Sequence, residues 1–459
     1  MVIGGDAGGM SAASQARRRR SASDLAIVAF ERGHYTSYSA CGIPYWVGGV
    51  VDGPERLVAR DPQTFRDKHA IDVRIRHEVT GIDLSRRVLS VRRVDDGTEF
   101  TEPFDQLVYA AGAVPVRPDW PGVRSVGVFG VQTLDDGAAV RTFVDVSKPR
   151  SAVVVGAGYV GIEMAEALVR RGVRVTVVEK ADQPMSTVDP DMGAKVREAM
   201  EGLGIEVRTG ETVSELSTQD DRVTGVVTDS GRHDADIVIL GLGVRPNTGL
   251  ARDAGLPLGD TGGVVTDRRM RVDDGIWAAG DCVETVHLIT EQPVHVPLGT
   301  HANKQGRVAG INIGGGYATF PGVIGTAVTK VCELEVARTG LREADAAAAG
   351  FEYVTATVES TNRAGYYPGA EPMTVKLIAE RVTGRLLGGQ IVGRSEAAKR
   401  IDALAVALWN RMTVEDMTSL DLGYAPPYAP VWDPILIAAR KAVDEVAQQN
   451  PGSDPSTGA

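Results

Sequence analysis

The stretch S-A-V-V-V-G-A-G-Y-V-G-I-E-M-A-E-A-L, residues 151–168, leaves this chain little choice of local fold. An apolar, β-branched run ends in three glycines, Gly156, Gly158 and Gly161, and a helical pattern follows. Glycines at this spacing permit a tight turn, a close backbone approach to a pyrophosphate, and close packing of helix on strand. The helix N-terminus then offers free N–H groups and a favourable dipole to the phosphates. V-R-V-T-V-V-E, residues 173–179, reads as the next strand and ends in Glu179. An acid there accepts from both hydroxyls of an adenosine ribose and repels a 2′-phosphate, which favours NADH. Lys180 and the nearby arginines keep NADPH as the alternative donor.

The same plan occurs at the start of the chain. M-V-I is a short strand, G-G-D-A-G-G (4–9) a turn, M-S-A-A-S-Q-A-R-R-R-R a helix, and L-A-I-V-A-F a strand ending in Glu31. Gly4, Gly8 and Gly9 are the candidate phosphate-binding glycines, although Asp6 stands where the middle glycine of the pattern belongs. A third phrase, G-I-W-A-A-G-D-C (275–282), puts Asp281 at the end of an apolar strand. There it would bind the ribityl hydroxyls of a flavin, or simply cap a helix. Two dinucleotide sites imply one tightly held cofactor and one that exchanges.

Composition narrows the class. A chain of 459 residues is too long for one ordinary core, so two or three domains are expected. A net charge of −11 argues against nucleic acid as the main partner. Three cysteines, Cys41, Cys282 and Cys332, make no disulfide framework and point to a reducing compartment or a reactive thiol. No apolar run nears 18 residues and no signal-peptide pattern is present, so a cytoplasmic protein with no membrane partner is expected. The histidines show no metal-ligand spacing, and no metal site is expected. The Pro/Gly/Ser-rich end is read as a disordered tail, 447–459.

Taken together, the two glycine turns, A-A-G-D, and the linkers Y-A-A-G-A (109–113) and G-L-G-V-R-P-N (241–247) resemble the flavoprotein pyridine nucleotide–disulfide oxidoreductases. The resemblance covers nearly the whole chain. It implies an α/β fold with two Rossmann-like domains and a C-terminal α+β dimerisation domain. The FAD domain would be split over 1–115 and 245–325, the NAD(P)H domain would be 116–244, and the dimerisation domain 326–446. FAD would be held by Gly4, Gly8, Gly9, Glu31, Ala111, Gly112 and Asp281. NAD(P)H would meet Gly156, Gly158, Tyr159, Gly161, Glu163, Glu179 and Gly243. In the family a residue at the Tyr159 position lies over the flavin and swings aside for the nicotinamide. Glu163 would face the nicotinamide amide, or serve as an ordinary first-turn acid.

Y-T-S-Y-S-A-C-G-I-P-Y (35–45) sorts the branches. The two-cysteine enzymes carry C-x-x-x-x-C, but the position five after Cys41 is Trp46. Ser37 and Cys41 instead match the S-x-x-x-C of the single-cysteine branch. That branch holds coenzyme A disulfide reductases, NADH oxidases, NADH peroxidases and persulfide reductases. The peroxidases and water-forming oxidases have a histidine in the first glycine loop, where this chain has Ala7. A-G-Y-Y-P-G-A (364–370) and L-G-Y-A-P-P-Y (422–428) are similar to the coenzyme A disulfide reductases, in which tyrosines of the partner subunit reach the cysteine. The matching positions are Tyr367, with Tyr366 adjacent, and Tyr424 or Tyr428. Gln15, Arg18, Ser37, Lys68 and Asn303 fall where those enzymes contact coenzyme A. Ala40 stands where they often have asparagine.

Cys41 is expected at a helix start, where a thiol pKa falls. A lone thiol cannot form an internal disulfide, so it must cycle as a mixed disulfide, a persulfide or a sulfenic acid. Cys282 and Cys332, the latter read on a strand, are expected to be inert packing residues. Arg17, Arg19 and Arg20 are read as a solvated helix cap, whereas Arg18 would neutralise a phosphate. The resulting expectation is a homodimeric FAD enzyme that passes electrons from NADH to a small disulfide or persulfide, with coenzyme A as substrate or mixed-disulfide ligand. The alternatives are an NADH oxidase reducing oxygen and a nucleotide-dependent redox-sensing interaction protein.

Overall fold

The computed structural model describes residues 1–449. Two parallel α/β units and an antiparallel C-terminal sheet make up the chain. In the first unit, Val2–Ile3 lies between Val28–Glu31 and Leu107–Tyr109, parallel to both, with Val2 opposite Ala29 and Val108. Asp72–Ile75 extends the sheet on one side, and Ile276–Ala278 followed by Arg271–Asp273 extends it on the other. In the second unit, Ser151–Val155 lies between Arg174–Glu179 and Ile237–Leu240, flanked by Glu206–Thr209 and Val128–Gly130. Four strands therefore follow one spatial order in both units, which is the internal duplication the two glycine turns announce; the fifth, Ile276–Ala278 in one and Val128–Gly130 in the other, comes from a different point in the chain. Buried Val and Ile fill these strands, as both faces of a parallel sheet require.

Small residues set the spacing of the first unit's helices. Ala7–Arg17 buries Gly8, Gly9, Met10, Ala12, Ala13 and Ala16. A Cβ at Gly306 would overlap the Gly8 carbonyl oxygen, and one at Gly310 would overlap that of Ala12. The helix Gly299–Ile313 can thus lie directly against the first helix, with Asn303 beside Ser11.

The two linkers meet as a pair of short strands. Ala113–Pro115 and Val244–Pro246 are antiparallel partners, so the chain enters and leaves the second unit at one place. Asn247 locks this crossing: its side chain donates to Ala111 O (3.1 Å), its N–H donates to Gly112 O (3.0 Å), and its carbonyl accepts from the Tyr109 hydroxyl (2.7 Å).

The C-terminal sheet runs Ala327–Val331, Leu334–Gly340, Leu386–Gly393, Pro372–Glu380, Tyr353–Thr361, all antiparallel. The helices Ile401–Trp409 and Pro434–Gln449 pack on it through Leu404, Leu408, Ile435, Ala438 and Ala442. Residues 447–449 thus belong to a helix and not to a disordered tail, because Ala-Gln-Gln continues the final turn without a breaker. The rest of that expected tail, 450–459, lies outside the described residues. Among the described residues no helix is long and apolar enough to cross a membrane.

The C-terminal sheet is bolted to the second unit by an ionic cluster around the buried Lys376 and Asp189. The ammonium of Lys376 sits 2.8 Å from Asp191, 3.3 Å from Asp189 and 2.5 Å from Glu343. Gln390 closes it, donating to Asp189 Oδ2 (2.7 Å) and accepting from the Asp189 N–H (2.8 Å).

Candidate active site

Both glycine turns have the geometry their sequences promise. Gly4 and Gly156 take left-handed φ values of 104° and 101°. A Cβ at Gly9 would overlap the Gly4 carbonyl oxygen, and one at Gly161 would overlap that of Gly156. By contrast, nothing lies within 4 Å of a Cβ at Gly158, Gly112 or Gly243. The space before the second helix, Tyr159–Arg170, is therefore open to a ligand's phosphates.

The terminal acids occupy equivalent places. Glu31 accepts from the N–H groups of Gly5 (2.9 Å) and Gly33 (2.7 Å). Glu179 accepts from those of Ala157 (2.7 Å) and Ala181 (2.9 Å). Each carboxylate is thus fixed beside its turn, with lone pairs left for a ribose. Asp281, half-buried after the strand Ile276–Ala278, has no hydrogen-bond partner for its carboxyl among the described residues. Burial raises its pKa, with His295 pulling the other way. A free, half-buried carboxyl near the first turn suits the hydroxyls of a flavin chain, so the residues present fit FAD.

Asp6 does more than fill a glycine's place. Its Oδ1 accepts from the Tyr38 N–H (3.1 Å), while Gly5 O accepts from the Ser37 N–H (3.0 Å) and the Thr36 hydroxyl. The first turn is thereby tied to the segment that leads to Cys41. Ser37 pays for this in a left-handed φ of 50°. Burial pushes the Asp6 carboxyl up to about 7, with Glu31 and Asp281 adding to the rise and the Tyr38 N–H opposing it.

Cys41 lies in the short turn Ala40–Gly42 that opens the helix Ile43–Val47, and it is exposed. The crowding of the surrounding protein raises its pKa, and the carboxylates Glu163, Asp281 and Asp6 raise it further. This corrects the expectation of a lowered pKa: burial first, and then the three acids, outweigh so short a helix. Cys282 is fully buried, its pKa pushed up to about 12 by burial, with Sγ donating to Ala279 O (3.4 Å). Cys332 is buried and raised to about 11. It stands in the turn after Ala327–Val331, at φ 57°, and not on a strand, because the hairpin requires a left-handed residue there.

Sequence spacing gave no hint of two contacts from the C-terminal sheet. Thr329 donates to Glu163 (2.8 Å), whose pKa burial and Glu166 raise to about 7 against that bond. Arg338 Nε donates to the Tyr159 hydroxyl (3.3 Å). Both partners lie more than 160 residues away in the chain, so only tertiary structure could reveal them.

The remaining candidates spread over two surfaces. Gln15 and Arg18 lie on and just past the first helix, and Asn303 on its partner helix. Gln15 accepts from Arg19 (3.1 Å), and Asn303 accepts from Ser11 (2.7 Å). Arg18 and Lys68 are exposed. Arg17 is no solvated cap: its guanidinium donates to the carbonyls of His69, Arg20, Leu25 and Ala70. Those carbonyls come from segments that fold back over the helix end. Tyr367, Tyr424 and Tyr428 stand exposed on the C-terminal domain. The Ala364 N–H donates to Pro426 O (3.1 Å), joining the two tyrosine segments, and Tyr366 shares a side-chain hydrogen bond with Tyr424.

Comparison with known proteins agrees with this layout. The family description "Pyridine nucleotide-disulphide oxidoreductase" matches residues 1–306, and that family's dimerisation domain matches residues 326–434. The NAD(P)H sulfur oxidoreductase (CoA-dependent) of Pyrococcus abyssi is 40% identical over 96% of this chain and 97% of its own length. The NADH oxidase of Methanocaldococcus jannaschii is 35% identical over 98% and 99%. Among solved structures, the NAD-dependent persulfide reductase from A. fulgidus superposes with a TM-score of 0.94 at 40% identity, covering 98% of this chain and 83% of that one. With both halves of the architecture matched, the chain belongs to the pyridine nucleotide–disulphide oxidoreductases, flavoenzymes that use FAD and NAD(P)H.

Proposed function

We propose that this enzyme reduces coenzyme A disulfide, or a related small disulfide or persulfide, through Cys41, using NAD(P)H. The single observation that carries this reading is the state of the three thiols. Cys41 alone is exposed, and the Asp6 and Gly5 contacts hold its segment against the first dinucleotide turn. The relatives named for coenzyme A-dependent sulfur reduction and persulfide reduction support the substrate class.

The bound flavin would supply a two-electron relay between nicotinamide and thiol, held by Gly4, Gly8, Gly9, Glu31, Ala111, Gly112 and Asp281. Gly156, Gly158, Gly161, Gly243 and Glu179 would hold the nicotinamide cofactor, and Tyr159 and Glu163 would face its reactive end. Cys41 attacks one sulfur of the disulfide, forming a mixed disulfide and releasing the first thiolate. Two electrons from NADH then break that S–S bond, freeing the second thiol and restoring Cys41. The two released thiolates take up two protons, one of them supplied with the hydride donor's oxidation.

Tyr367 and Tyr424 or Tyr428 would donate protons to the departing sulfur from a second subunit. Their exposure on a matched dimerisation domain supports a homodimer as the working unit. Gln15, Arg18, Ser37, Lys68 and Asn303 would bind coenzyme A, with Arg18 and Lys68 neutralising its phosphates. NADH-dependent turnover of coenzyme A disulfide tests the reading. It should be lost in Cys41→Ser while flavin is retained; full turnover in that variant overturns it. Oxygen reduction is the second reading, favoured by the M. jannaschii relative. In that case Cys41→Ser would keep consuming oxygen.

A further inference from the structure

A cavity of about 210 Å³ lies between the C-terminal sheet and the end of the first unit, away from Cys41 and both glycine turns. Leu288 and Ile289 form one apolar wall, and Leu386 and Leu408 another. Trp409, 52% exposed at the end of its helix, lines the same space.

Two arginines, Arg385 and Arg411, also line it. Neither has a carboxylate partner among the described residues. The Nε of Arg385 is buried and has no hydrogen-bond partner, and its guanidinium rests 5.6 Å from the Phe351 ring centroid. Arg411 stands at φ 55° just past its helix.

We propose that this cavity binds a small carboxylate with an apolar body. The carboxylate would take the planar guanidinium donors, and the leucines and Trp409 would enclose the body. Phosphate alone would leave the apolar walls without a partner. The site uses none of the residues assigned to disulfide reduction.

The test uses the FAD-loaded protein with 3-phenylpropionate as probe, and with 3-phenylpropanamide and inorganic phosphate as controls. Binding is read by ligand-observed NMR and by tryptophan fluorescence, with Trp409→Phe assigning the signal among five tryptophans. The acid should bind saturably and at least tenfold more tightly than either control. Arg385→Met and Arg411→Met should each weaken it at least tenfold. Arg411 is exposed, so its variant keeps the test valid if Arg385→Met folds poorly. No saturable binding by the acid overturns the proposal, as does equal binding of amide or phosphate, or unchanged binding in the Arg411→Met protein. Binding that emerges only on dilution to monomers also overturns it, since a second copy would then be the occupant.

Discussion

Gly158 and Gly161 stand three residues apart in one turn, yet alanine at each should fail in a different way. A Cβ on Gly161 would overlap the Gly156 carbonyl oxygen, well inside the 3.0 Å below which real Cβ contacts essentially never fall. The atom it meets is backbone at a strand end, which cannot rotate away. Overpacking of this kind costs about 3 kcal/mol. At Gly158 nothing lies within 4 Å of the added Cβ, and the backbone is extended, with φ −81° and ψ −173°. The free protein should change by no more than about 1 kcal/mol, because a slightly weaker helix cap is offset by a stiffer unfolded chain. The new methyl would, however, occupy the face offered to the nicotinamide cofactor's pyrophosphate. A misfit of one methyl is worth about 2 kcal/mol, or roughly a 30-fold rise in the NADH KM. Urea denaturation of the FAD-loaded protein and steady-state kinetics separate the two effects. Gly161→Ala should lower the urea midpoint clearly, whereas Gly158→Ala should hold its midpoint and lose NADH affinity. Refutation would come from Gly158→Ala losing stability with an unchanged KM, or from Gly161→Ala proving neutral in both.

Three further outcomes follow from the same structure. Glu163 carries a carboxyl raised from 4.5 to about 7, so the folded state holds a proton there that the unfolded chain releases. Its contribution is complete below pH 4.5 and is lost as pH rises through about 7; Glu163→Gln should flatten the stability profile in that window by at most about 3 kcal/mol. Lys376→Met should lower unfolding stability by about 3 kcal/mol, measured in urea, because it strands Asp189 beside Asp191 and Glu343. Thiol titration of the native, reduced protein should find one fast-reacting group, with Cys282 and Cys332 reporting only after unfolding; two fast groups would contradict their burial.

What could be read from the sequence is what local chemistry encodes. The glycines at 4, 9, 156 and 161 and the acids Glu31 and Glu179 belong to units of about 30 residues, so spacing alone revealed the turns and the strand ends. Cys41 stood out because its neighbours match a motif. Its pKa did not, because the burial that raises it most, and then Glu163, Asp281 and Asp6, come from separate segments that only the fold brings together. The same applies to Tyr159 and Glu163, whose partners Arg338 and Thr329 come from the C-terminal sheet. Arg17 misled as part of a basic run. Four identical side chains look alike in sequence, and only the carbonyls folded against one of them set it apart.

The central claim is that Cys41 exchanges disulfides with coenzyme A. Intact-mass spectrometry of the protein, purified and denatured without reductant, tests it most directly. The account predicts a gain equal to one coenzyme A, removed by dithiothreitol and absent from Cys41→Ser. A bare or merely oxygenated Cys41 would contradict it and place the chemistry with oxygen or another thiol.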